Sequence, residues 1–189
     1  MKIGIDISQT AYRNTGVANY LRCLIKELAR VDKDNQYVLF FSSLRQTIGR
    51  EELGIKENRN FKLKTFRMPP TFLYFVWNKL HKMPIESLIG KVDLFITSDW
   101  AEPPAKARKA TFIYDLIALK YPEETHPKTD FNMKKFAPSP NIVAVQKRKL
   151  KWVKKESDLV FTISQSSKND IEKLLGINSK KIKVMYPGI

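Results

Sequence analysis

The chain has 189 residues, 43% of them hydrophobic, which is enough for one large or two small domains with a buried core. The sequence has no stretch near the roughly 20 apolar residues that span a bilayer, and its polar turn after residue 7 predicts no signal peptide. The single cysteine, Cys23, excludes an internal disulfide and a cysteine-based zinc cluster, whereas the net charge of +15 favours anionic partners.

Buried strands are predicted to alternate with helices along the whole chain. Residues 2–7 predict the first strand, and apolar residues spaced by three or four from Val17 to Val31 predict the first helix. Further strands are predicted at 36–41, 61–66, 92–98, 110–115, 158–164 and 181–186, and further helices at 71–83, 140–156 and 167–175. This alternation indicates an α/β fold, a doubly wound parallel sheet with helices on both faces.

Ligands of such sheets bind at the carboxyl ends of the strands, where the strand order reverses. Four junctions follow predicted strands, at residues 8–16, 98–104, 114–127 and 164–168. In the last of these, serines are expected to cap the following helix rather than to bind a ligand. They are Ser164, Ser166 and Ser167.

The first junction brings Gly16 to the start of the first helix. A helix start has unpaired backbone N–H groups and partial positive charge, and glycine lets an anion approach the backbone closely. Gly16 is therefore a candidate phosphate contact, and a simple turn is an equally good interpretation of a single glycine. The sequence contains neither G-x-G-x-x-G nor G-x-x-x-x-G-K-[ST], which argues against common nicotinamide enzymes and P-loop ATPases.

Three segments, taken in order, resemble the retaining glycosyltransferases of family 4. They are "NTGVANYLRCLIKELAR", "VDLFITSDWAEPPAKARKATFIYDLIALKYPEETHP" and "ESDLVFTISQSSKNDIEKLLGINSKKIKVMYPGI". The resemblance is weakest from about residue 44 to residue 90. It implies a Rossmann-like sheet that forms one half of a GT-B architecture, in which two domains face each other across a cleft. Residues 1–186 would be the N-terminal acceptor-binding domain, and 187–189 would begin the linker to a C-terminal nucleotide-sugar domain.

The resemblance also implies roles for individual residues. The loop of Asn14, Thr15 and Gly16 would approach the donor diphosphate, and Asp115 matches the aspartate of a His-Asp pair that ends a strand. Tyr114 stands where the family usually has the histidine, which contacts the region of the transferred sugar. A phenol can donate a hydrogen bond but is a poor base at neutral pH. No metal and no cofactor are expected, since the nucleotide sugar is a substrate.

Acceptor contacts are expected from the other junctions. Asp99 and Trp100 follow a predicted strand, and His126 lies in the long loop after Asp115. Loop packing is an alternative for a tryptophan beside prolines. His81 lies in an aromatic helix and is more typical of a packed histidine, and two histidines so far apart make a metal site improbable.

A basic segment, "VQKRKLKWVKKE" at residues 145–156, surrounds Trp152 with cations. It predicts contact with an anionic surface, with Trp152 and Val153 entering a lipid headgroup layer, and a solvated charged face is the alternative. The aromatic segment 72–80 is another source of apolar contacts to an acceptor or a membrane, but it fits a core helix better. The candidate cationic contacts are Lys147, Arg148, Lys151 and Lys154.

Three functions therefore remain open. The first is the acceptor-side domain of a retaining glycosyltransferase that moves a sugar from a nucleotide-sugar donor to a glycan or lipid-linked acceptor. The second is a non-catalytic basic module for anionic lipid or nucleic acid, although the sequence has no nucleic-acid-binding motif and we expect no nucleic-acid partner. The third is a degenerate homologue, suggested by Tyr114. We expect a cytoplasmic protein, with the inner face of the membrane as a candidate attachment site.

Overall fold

Seven strands form one sheet in the computed structural model, which describes residues 1–98, 100–125 and 142–188. Every pairing in this sheet is parallel, and the order is β3-β2-β1-β4-β5-β6-β7. The strands are β1 (Lys2–Asp6), β2 (Gln36–Ser42), β3 (Phe61–Phe66), β4 (Leu94–Thr97), β5 (Arg108–Phe112), β6 (Leu159–Thr162) and β7 (Ile182–Val184). The order reverses between β1 and β4, which makes their carboxyl ends the switch point of the sheet. The predicted doubly wound, Rossmann-like fold is confirmed and is consistent with one half of a GT-B architecture.

The helices connect these strands. They are α1 (Gly16–Val31), α2 (Pro70–Leu73), α3 (Glu86–Ile89), α4 (Ile117–Lys120), α5 (Ile142–Glu156) and α6 (Gln165–Leu175). From α2 the chain continues directly into a π-helical segment, Tyr74–Lys79. Short 3-10 turns occupy Ser8–Ala11, Pro122–Thr125 and Ser179–Lys181.

Two predicted helices differ from the observed ones at an end. The helix predicted at 71–83 stops at Lys79, because His81 and Met83 adopt positive φ angles of 50° and 63°, which no right-handed helix contains. The last helix begins at Gln165 rather than at Ser167. Its cap is Ser164, whose side-chain oxygen accepts the Ser167 N–H at 3.0 Å.

Alternate residues of β2 divide the core into two layers. On one face, Leu39 and Phe41 pack with Ile25 of α1. On the opposite face, Val38 and Phe40 pack with α2, the π-helical segment and α3. A third apolar cluster joins α5 and α6 to β6. The π-helical segment and α5 pack against each other, so they cover neighbouring parts of the face opposite α1.

Candidate functional site

The start of α1 is exposed at the switch point of the sheet. The Thr15 side chain caps this helix, since its oxygen accepts the Ala18 N–H at 3.3 Å and its hydroxyl donates to the Tyr12 carbonyl at 3.0 Å. A Cβ atom at Gly16 would meet nothing within 4 Å among the described residues, and the φ of Gly16 lies outside the left-handed region. Neither packing nor backbone conformation therefore requires glycine here. Glycine does leave the N–H groups of the helix start accessible.

An aromatic cluster connects this helix start to the end of β5. Tyr20 lies one turn beyond Gly16 and meets Tyr114 edge to face, with ring centroids 5.8 Å apart. The Tyr114 ring is 6% exposed and stacks on Phe112 at 5.6 Å. Burial raises the pKa of Tyr20. Tyr114, which the resemblance assigns to the position of the family's histidine, is thus packed inside the domain against Tyr20 of α1.

Asp115 follows this cluster and faces solvent. Its Oδ1 accepts the backbone N–H of Ile117 at 3.0 Å, which fixes the turn into α4. The structure thereby brings Gly16, Tyr114 and Asp115 to one edge of the sheet.

The loop after β4 is held by hydrogen bonds from Asn78 of the π-helical segment. Trp100 is half-buried, and its carbonyl accepts the side-chain amide of Asn78 at 2.8 Å. The Asn78 side-chain oxygen accepts the N–H of Glu102 at 2.8 Å. The π-helical segment therefore holds the first half of this loop at two points, Trp100 and Glu102. The other two predicted acceptor contacts, Asp99 and His126, lie outside the described residues.

Beneath the loop lies a buried polar network that sequence reasoning missed. Glu102 is fully buried, and its carboxylate accepts the hydroxyls of Thr97 at 2.8 Å and Thr111 at 3.0 Å. The Lys109 ammonium lies 2.9 Å from the same carboxylate and 3.1 Å from Glu156. The one ammonium thus lies between two carboxylates, and Lys109 and Glu102 make further hydrogen bonds, which a buried ion pair needs to offset its desolvation.

His81 extends the network to the outside of α5. Its Nδ1 lies 3.0 Å from the Trp77 carbonyl oxygen, and its Nε2 lies 2.6 Å from Glu156 Oε1. Burial pushes the pKa of Glu156 upward, but Lys109 and His81 outweigh it and hold the pKa of this carboxyl below its ordinary value. Both imidazole nitrogens thus face oxygen atoms, one of a backbone carbonyl and one of a carboxylate.

Two buried ionisable side chains, Asp6 and Lys149, lie at the switch point itself. The Lys149 ammonium donates to the carbonyls of Ser98 at 2.7 Å and Phe112 at 3.3 Å, which joins the ends of β4 and β5. Asp6 ends β1, and its Oδ1 accepts the Ser8 N–H at 2.9 Å. Burial raises the pKa of Asp6, against the lowering effects of Ser8 and of the Lys149 charge.

The basic run of α5 only partly fits its predicted role. The four predicted contacts, Lys147, Arg148, Lys151 and Lys154, are exposed. The prediction that Val153 enters a headgroup layer is wrong, because this side chain is 1% exposed and packs in the core. Trp152 is half-buried, with its ring stacked on His81 at 3.5 Å and its Nε1 donating to the Asn78 carbonyl at 3.0 Å.

The described part of the chain contains no group of three or more His, Cys, Asp or Glu side chains placed to hold a metal ion. Within that part, no helix is both long and apolar enough to cross a bilayer. The expectation that the site uses no metal stays a prediction, as do the assigned roles of the loop and junction residues.

Comparison with known proteins agrees with the resemblance. No curated protein matches the chain significantly. The family model described as Glycosyltransferase Family 4 matches residues 14–189. This match begins in the loop before Gly16 and includes the junctions after β4, β5 and β6, and it covers well over half of the sequence. The chain belongs to glycosyltransferase family 4.

Proposed function

We propose that this chain is the acceptor-side domain of a retaining glycosyltransferase, which moves a sugar from a nucleotide-sugar donor to a glycan or lipid-linked acceptor. The observation that carries the proposal is the exposed helix start at Gly16, unobstructed within 4 Å among the described residues and next to the junction that presents Asp115. Residues 1–186 would form this domain, and a nucleotide-sugar domain after the linker at 187–189 would complete the cleft.

The helix start would act on the leaving group. Negative charge develops on the donor diphosphate as its bond to the sugar breaks, and backbone N–H groups preorganised at a helix start stabilise such charge without reorganising. Asn14 and Thr15 flank these groups and are exposed. The absence of a Cβ at Gly16 is what lets a bulky phosphate come close.

The end of β5 would act on the sugars. The exposed Asp115 carboxylate is suited to accept a hydrogen bond from a sugar hydroxyl, and the buried Tyr114 sets the position of the strand end. Trp100 would form part of the acceptor wall, with Asp99 and His126 as further candidates. No step requires Tyr114 as a base, and no metal is assigned a role. We place the enzyme in the cytoplasm, in glycan biosynthesis.

The decisive experiment replaces Gly16 by valine in the protein joined to its donor domain. We expect turnover to fall by roughly a hundredfold or more, because a lost preorganised donor costs about 3–4 kcal/mol of barrier in comparable sites. Stability should change by about 1 kcal/mol, since the helix start is exposed and the φ of Gly16 suits other residues. Gly49→Val is the matched control, because Gly49 is also exposed and also has open space around it.

Two results would contradict the proposal. Near-normal turnover of Gly16→Val would remove the phosphate role from the helix start. A wild-type two-domain protein that transfers sugar from no member of a nucleotide-sugar panel would favour the degenerate homologue, which the packed Tyr114 in the histidine position supports.

A further inference from the structure

The segment 70–80 carries large apolar side chains on its outer face. Phe72 is 44% exposed, Phe75 is 48% exposed and Leu80 is 48% exposed. The inner face of the same segment fills the core with Leu73 and Trp77, which are 5% and 0% exposed. The core is therefore already supplied from the inner face, and its packing does not explain the outer aromatic residues.

Cations surround these apolar side chains. Lys79 Nζ lies 5.8 Å from the ring centroid of Phe75 and 6.0 Å from that of Tyr74. From α5, the Arg148 guanidinium lies 5.9 Å from the Tyr74 ring and donates a hydrogen bond to its hydroxyl. The segment and α5 thus share one surface, in which aromatic rings and cations alternate.

We call this the aromatic–basic surface. It extends along α5 through two further cations, each near the ring of Trp152, at 5.8 Å for Lys151 and 5.3 Å for Lys155. Lys154 lies apart from it, because its ammonium is beside Gly176 at the end of α6. The members are Phe72, Tyr74, Phe75, Lys79, Leu80, Arg148, Lys151 and Lys155.

We propose that the aromatic–basic surface docks on an anionic phospholipid bilayer. Phe72, Phe75 and Leu80 enter the boundary between headgroups and acyl chains, while the cations meet lipid phosphates. The exposed apolar side chains favour a bilayer over nucleic acid as the partner of this surface. Nucleic acid is bound mainly through its phosphates, which need only the cations. Moving exposed phenylalanine and leucine side chains from water into hydrocarbon lowers the free energy, and only a bilayer offers that environment.

Docking on a bilayer is independent of sugar transfer. The surface lies on helices outside the sheet, so binding can be measured without turnover, and its failure would leave the transferase proposal intact. The measurement is sedimentation of the chain with phosphatidylcholine vesicles that contain or lack phosphatidylglycerol, at low and high salt.

Charge is tested with R148Q/K151Q/K155Q. Each basic residue near an anionic surface contributes about 1 kcal/mol, so the triple variant should bind the anionic vesicles roughly a hundredfold more weakly. K151Q/K155Q keeps the Arg148–Tyr74 contact and should lose roughly thirtyfold. The matched control, K26Q/R30Q/K33Q, removes the same charge from exposed positions in α1 and just after it, on the opposite face of the sheet, and should bind nearly as the wild type does.

The apolar part is tested with F72S/F75S, which should weaken binding roughly tenfold at high salt, where charge is screened. V31S/L44S changes two apolar side chains elsewhere that are at least as exposed, and it should have no such effect. The proposal is overturned if wild type ignores anionic vesicles at low salt, or if the α1 control loses as much binding as the α5 triple variant. Salt-resistant capture of duplex RNA in place of vesicles would also overturn it.

Discussion

Replacing Lys109 by methionine should lower the free energy of unfolding by about 3–5 kcal/mol, the usual cost of removing one partner from a buried ion pair. Lys109 and Glu102 are 2% and 0% exposed, and their charged atoms lie 2.9 Å apart. The variant leaves the Glu102 carboxylate with two hydroxyl donors but without a countercharge. It also removes the donor of the Pro103 carbonyl, which the ammonium contacts at 2.8 Å. Since domains of this kind are stable by about 5–15 kcal/mol, the loss is a large fraction of the total.

A double variant separates the destabilisation caused by the unpaired Glu102 charge from that caused by lost packing. Glu102→Gln together with Lys109→Met removes both charges, so it should be less destabilised than Lys109→Met alone by about 0.5–3 kcal/mol. Lys106→Met is the control, because Lys106 lies three residues before Lys109, in the loop that contains Glu102, and is exposed. Its stability should stay within about 0.5 kcal/mol of the wild type. Urea unfolding, followed by tryptophan fluorescence, measures all three variants.

A loss of less than about 1 kcal/mol for Lys109→Met would contradict a buried Lys109–Glu102 ion pair, since a buried carboxylate without a countercharge destabilises the fold by more than that. A double variant no more stable than Lys109→Met would also refute it. In that case the cost would come from lost packing and hydrogen bonds rather than from charge.

Two further predictions concern single groups of the site. The pKa of Glu156 is depressed in the folded chain, so its stabilising effect is present above the ordinary carboxyl value of 4.5 and is lost as pH falls through the depressed value. The stability gap between wild type and Glu156→Gln, measured by urea unfolding, should therefore be larger at pH 7 than near pH 3, and an equal gap at both would contradict the assignment. Tyr114→His should destabilise the chain by about 1–3 kcal/mol, because a smaller polar ring loses the stacking on Phe112. A melting temperature unchanged from that of the wild type would show that Tyr114 is not packed as described.

The strands were predictable because their signal is local. Aromatic and β-branched runs marked all seven of them, although β5 ends at Phe112, and Tyr114 and Asp115 therefore lie beyond the strand rather than within it. The four-residue helices α3 and α4 were not predicted, because they are too short to show a helical period. The early end of the helix at Lys79 depends on the positive φ angles at His81 and Met83, and no residue type there signals them.

The expectation that ligands bind at the carboxyl ends of parallel strands was enough to choose the candidate site. The buried charged residues that hold its loops, Lys149 and Glu102, were harder to recognise in the sequence. Lys149 stands in a run of cations, yet it lies four residues after Val145 and four before Val153, both buried. A lysine at a position of the apolar stripe was therefore the available sign of burial. Glu102 gave no such sign, because its burial depends on β4 and β5 pairing side by side, which brings Thr97 and Thr111 to its carboxylate.

Two elements carry both the loops of the candidate site and the aromatic–basic surface. On the inside, Lys149 of α5 holds the end of β4, and Asn78 of the π-helical segment holds Trp100. On the outside, Arg148 and Tyr74 join the same two elements. Docked on a bilayer through the outer face, the domain would hold the loop after β4 on the inner side of these two elements, one helix diameter or about 10 Å from the lipid headgroups. If Trp100 contacts the acceptor as proposed, an acceptor anchored in the membrane would meet this loop without leaving the bilayer, so the two proposals together predict a lipid-linked acceptor rather than a free glycan.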